Sequence, residues 1–128
     1  MMDTPITDLD EIFSTLKGLM QPYAPPLQPK KDEAGDYDLW SVRDLEIDGR
    51  KRKEVYFCGL IIQKGYVGFY YMPVYADTDL KQVFGPRLLG LLKGKSCFHI
   101  RRLDDELVEQ IRSALQVGFK AYRERGWV

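Results

Sequence analysis

A chain of 128 residues with 45% apolar and 30% charged side chains is sized and balanced for one globular core, not for a disordered or fibrous chain. Its 19 basic and 19 acidic side chains cancel, so no overall field draws it to nucleic acid or to an anionic membrane. No run approaches the about 20 consecutive apolar residues that a membrane span requires.

Cys58 and Cys97 both lie in apolar, strand-like surroundings, without a CxxC pair or a Cys/His ligand ladder, so both read as buried free thiols. Asp3, Asp8, Asp10 and Glu11 stand where a secretory leader would be basic and then apolar. A reducing cytoplasm is the expected compartment.

The first predicted element is a helix over 4–20, in which Ile6, Leu9, Phe13, Leu16 and Met20 recur at three and four. Asp3 or Thr4 is a suitable cap, Pro5 suits the first helical position, and Pro22 marks the end. Four prolines, two lysines and three acids follow over 21–36 without periodicity, as expected of a surface connection.

Strand patterning begins at Tyr37 and slips between Val42 and Leu45, which predicts a bulge or an edge near Arg43 and Asp44. Asp48-Gly49 opens a turn, with Arg50, Lys51, Arg52 and Lys53 as a basic loop tip. The stretch 53–73 then reads as a hairpin turning at Gly65. In its first strand Val55, Phe57, Gly59 and Ile61 point one way and Tyr56, Cys58, Leu60 and Ile62 the other. Both sides are apolar, which predicts a central position in the sheet. Pro73 limits further ladder bonding.

Asp77 and Thr78 ahead of Leu80 and Val83 predict one or two helical turns, and Gly85-Pro86 opens a short helix running through Leu92 and closed by Gly94. A fourth strand covers 96–100. The last helix runs from Asp104 or Asp105 to Arg125, with Leu107, Ile111, Ala114, Leu115, Gly118 and Tyr122 on one face. Acids open it and arginines close it, both favourable to the helix dipole. Gly126 is placed to end it and to let Trp127 fold back on Tyr122.

This order predicts a single α+β domain over 1–128: an N-terminal helix at 1–20, a proline-rich connection at 21–36, and a sheet with a C-terminal helix at 37–128. The sheet is expected to be antiparallel and four-stranded or slightly larger, with both terminal helices on one face.

Tyr56-Phe57, Gly68-Phe69-Tyr70 with Pro73, the run 88–95 leading through Gly94-Lys95 into Cys97-Phe98, and an acid-started final helix together resemble the YdhG-like proteins of bacteria. The likeness spans about 37 to 122. It implies a small sheet-and-helix fold without an assigned reaction, one branch of which is described as a frataxin-like intracellular iron chaperone. Where many of those proteins carry Tyr-Gly-Met-Pro, this chain has Trp40-Ser41-Val42-Arg43-Asp44.

The densest unusual feature is aromatic: Tyr56, Tyr66, Tyr70, Tyr71 and Tyr75, with Trp40 nearby. Tyr70 and Tyr71 are neighbours on a strand, so at least one ring faces away from the helices. An open aromatic face would take a second copy of the chain or a small molecule. The ordinary alternative is a face shielded by 21–36.

Asp104, Asp105 and Glu106 offer oxygen ligands for iron or another hard cation, in keeping with the iron-chaperone branch. Helix capping explains the same three acids without a metal. Cys58, Cys97 and His99 would suit zinc or copper if the two strands brought them together, and buried thiols beside a strand histidine are the plainer reading. The basic run 50–53 beside tyrosines fits single-stranded nucleic acid less well than a solvated turn. Glu54, Tyr71 and His99 are the groups an enzyme would have to join in one cleft, and no nucleophile motif or cofactor motif accompanies them. The sequence therefore favours a non-catalytic binding domain.

Overall fold

The computed structural model describes residues 5–76 and 84–128, leaving aside the side chains of Tyr75 and Ala76. The predicted turns at 77–83 lie outside them.

Helix α1 spans Leu9–Met20 and buries Ile12, Phe13, Leu16 and Met20. It starts later than the periodicity predicts. Ile6 instead forms a β-bridge with Leu103, and Asp8 caps the helix by accepting from the Glu11 N–H at 3.0 Å. A 3-10 turn follows at Gln21–Tyr23, and the connection is tied down rather than loose. Leu27 is buried, Gln28 bridges to Trp40, and Asp32–Glu33 forms a short strand, β1.

The main strands are β2 (Asp36–Ile47), β3 (Arg50–Gln63) and β4 (Tyr66–Tyr71). A one-turn helix α2 (Met72–Ala76) leaves β4 at Pro73. After the undescribed segment come α3 (Pro86–Leu89), β5 (Leu92–Lys93) and β6 (Cys97–Ile100). Leu92 thus belongs to a strand, and Gly94 turns β5 into β6 at φ +73° instead of closing a helix. The basic tip expected at 50–53 is the start of β3, because Asp48 and Gly49 complete the turn alone, both at positive φ.

All strand pairs are antiparallel and the order is β1-β2-β3-β4-β6-β5. The two edge strands have two residues each and carry Asp32, Glu33 and Lys93. The slip foreseen between Val42 and Leu45 is present, and a second lies between Leu39 and Trp40.

That second slip corrects the reading of β3. Leu39 pairs with Cys58 and the next residue, Trp40, pairs with Tyr56, so Phe57 is the extra residue of a bulge. Phe57 and Cys58 therefore both turn inward. Val55, Phe57, Cys58, Leu60 and Ile62 face the helices, while Tyr56, Gly59 and Ile61 face out. Over 55–62 the strand is apolar on both sides and central in the sheet, as expected, but the bulge changes which residues belong to each side. Burial of the extra phenyl ring is worth roughly 1.5–3 kcal/mol, enough to hold the distortion.

Helix α4 spans Asp105–Glu124, with Asp104 as its cap, and lays Leu107, Ile111, Ala114, Leu115 and Tyr122 on the same sheet face as α1. Its end follows the predicted pattern. Trp127 N–H donates to Tyr122 O at 2.9 Å, Gly126 N–H donates to Arg123 O at 3.0 Å, and the two rings meet at 5.0 Å. Phe57 packs edge-on against Tyr122 at 5.2 Å, so the bulge and the helix end share one aromatic cluster. No helix among the described residues is long and apolar enough to cross a membrane.

Candidate functional site

Strand pairing fixes what lies on the outer face of the sheet. Residues opposed across an antiparallel pair point to the same side, so the outward set can be followed from strand to strand. One row runs Asp38, Gly59, Tyr70, Cys97, Lys93 and the next runs Asp36, Ile61, Gly68, His99. Trp40 and Tyr56 pair beyond the first row, and Gln63 and Tyr66 beyond the second. Among the described residues no helix packs on this side.

The two glycines explain its shape. A Cβ on Gly59 would collide with the Tyr56 hydroxyl, and one on Gly68 would come within 3.0 Å of the Tyr70 ring. Each tyrosine thus lies down over a glycine of its own sheet. The result is a low surface of ring faces in place of upright side chains. Trp40 meets Tyr56 edge-on at 5.0 Å, and Lys30 Nζ sits 4.1 Å over the indole while pairing with Glu54. Tyr66 stacks on His99 at 4.0 Å, with the Arg101 guanidinium 5.5 Å from the Tyr66 ring. Burial, reinforced by Cys58 and by Asp38 and Asp36, pushes the Tyr56 phenol well above its ordinary range, so it stays protonated. Burial likewise raises the Tyr70 phenol, with the nearby Cys97 adding to the shift and Gln63 opposing it.

Of the aromatic residues singled out by the sequence, the outer face gathers Trp40, Tyr56, Tyr66 and Tyr70. Tyr71 is not among them. It is fully buried on the helix side, where its hydroxyl donates to Ala114 O. Tyr75 belongs to α2, with a side chain outside the described residues. The proline-rich segment runs along the β2 edge and does not shield this face. Lys30 and Lys31 lean onto its β2 flank, Lys31 Nζ pairing with Asp36 at 3.3 Å, and both are anchored by N–H groups that donate to Asp38 Oδ1 at 2.7 and 2.9 Å.

The candidate ligand sets separate in space. Cys58 is buried among the helices and its thiol is held far above the usual range by that burial, whereas Cys97 and His99 face out. Asp104 is engaged twice, accepting from the Leu107 N–H at 2.9 Å and from Arg87. Glu106 also reaches Arg87, at 3.4 Å, while Asp105 is exposed. Among the described residues no three His, Cys, Asp or Glu side chains gather as a metal site. Glu54, Tyr71 and His99 are likewise apart, and of the three only His99 lines a described cavity. The cleft beside the proline-rich segment, about 520 Å³, opens toward Phe119 and Arg123 of α4 and not toward the sheet.

No family model, curated protein or solved structure matches this chain.

The charged members of the outer face escaped the sequence reading. Asp36, Asp38 and Trp40 alternate on β2, and glycines at 59 and 68 interrupt two strands that are otherwise bulky. Interior strand glycines mark close approach of another group, and that was the available signal.

Proposed function

We propose that this chain is a cytoplasmic, non-catalytic interaction domain that pairs with a second copy of itself through the outer face of its sheet. The observation that carries the reading is the charge order of that face. In the row Asp38, Gly59, Tyr70, Cys97, Lys93 an acid on β2 stands at one end and a lysine on β5 at the other, with the Tyr70 ring between. A two-fold axis parallel to the strands keeps each row at its height and exchanges the flanks. With the axis running along β4, Asp38 of one copy faces Lys93 of the other and Tyr70 faces Tyr70. An isologous interface needs this self-complementarity, and the zero net charge adds no repulsion between copies.

The flattened rings of Tyr56 and Tyr70, with Ile61 and the exposed Val42, supply the apolar middle that a face-to-face sheet contact buries. The resemblance to the YdhG-like proteins, a group without an assigned reaction, is in keeping with a binding role.

Sedimentation equilibrium at micromolar concentration is expected to show a monomer–dimer equilibrium. Tyr70→Arg should shift it to monomer without changing the circular dichroism spectrum. Asp38→Lys should weaken it about tenfold and Asp38→Lys with Lys93→Asp should restore it, as buried charge pairs are worth about 1.5 kcal/mol or more. A native chain that stays monomeric, or a swap that fails to restore, rejects the proposal.

A further inference from the structure

Beyond β5 the edge of β6 opens into a cavity of about 280 Å³ lined by Arg87, Leu91, His99, Arg101, Arg102 and Leu107. Three guanidinium groups share this small space. Arg87 is neutralised by Asp104 and Glu106, whose carboxylates it holds directly. Asp104 lies near enough to Arg102 to feel its charge, but among the described residues neither Arg101 nor Arg102 forms an ion pair. Arg101 is set against the Tyr66 ring, which in turn stacks on His99, so its position is fixed by aromatic packing. Leu91 and Leu107 give the cavity an apolar wall.

We infer that this cavity is a binding site for a small organic phosphate. A monoester dianion matches in charge the two guanidiniums that form no ion pair among the described residues and accepts hydrogen bonds from both, where a single carboxylate would balance one. The apolar wall calls for a compact organic body next to the phosphate, and the volume suits a small molecule. Arg87, already held by two acids, would orient the site from below. The site adjoins the outer face of the sheet at His99 and Tyr66 but is centred at the rim of β6, toward the start of α4.

The test uses phenyl phosphate, inorganic phosphate and benzoate as probes at constant ionic strength, followed through the arginine Nε–Hε signals by NMR. Phenyl phosphate should give saturable shifts at Arg101 and Arg102, bind severalfold tighter than inorganic phosphate, and bind at least tenfold tighter than benzoate. Arg101→Gln with Arg102→Gln should abolish the response at the remaining cavity arginine, Arg87, while the backbone spectrum stays folded. Benzoate binding as tightly as phenyl phosphate, shifts that never saturate, or a response unchanged in the double variant would each overturn the assignment.

Discussion

Gly118 sits where α4 comes down onto the sheet, and the contact leaves no room for a methyl group. A Cβ there would overlap the Tyr71 hydroxyl and press on Tyr71 Cζ at 2.8 Å and Pro73 Cγ at 2.9 Å. Gly118→Ala should therefore cost about 1–3 kcal/mol in urea unfolding, the usual range for overpacking. Tyr71→Phe alone should cost about 1 kcal/mol by removing the buried bond to Ala114 O. Since the phenol is part of the clash, the double variant should lose at least about 0.5 kcal/mol less than the sum. Strict additivity would show that the helix shifts and the tyrosine does not yield. Tyr71 was visible in the sequence as one of a pair, but which of the pair faced the helices was not. That choice depends on the register with β3, set by residues more than ten positions away.

At the scale of elements, α4 was the most legible. Its cap, its buried stripe and its glycine stop are all local signals, and Asp104, Gly118 and Gly126 occupy the roles their chemistry predicts. The bulge at Phe57 was not legible, because an extra residue exists only relative to a partner strand. The start of α1 was misread for the same reason: Ile6 fits a helical stripe, yet its bridge to Leu103 wins. Strands of two residues, such as β1 and β5, are too short to show any period.

The start of α4 also carries a pH dependence. The Arg87 hydrogen bond, followed by the Leu107 N–H, holds the Asp104 carboxyl below its usual range. A folded value below the unfolded one means that the stabilisation is fully present above about pH 4 and is lost as pH falls through the folded value. Asp104→Asn keeps the cap but not the charge. It should lower stability at pH 7 by no more than about 1 kcal/mol, given the exposure of the pair, and the deficit should shrink as pH falls below about 4. A deficit that does not change with pH would place the effect elsewhere.

For the whole molecule, the two thiols report on the two sides of the sheet. Cys58 is fully buried on one and Cys97 half-buried on the other. A thiol reagent should modify one cysteine in the folded chain and the second only in denaturant. If the outer face pairs copies, modification of Cys97 should slow as protein concentration rises through the dimerisation range. Two thiols reacting in the folded chain would contradict the burial of Cys58, and a rate independent of concentration would argue against a covered face. The ends of the sheet set a further limit. β1 and β5 offer two residues each, with acids on one and a lysine on the other. Neither gives an incoming chain a ladder long enough to template its own strand. If copies pair through the outer face as proposed, the two-fold contact closes on itself, and such an assembly would stop at two.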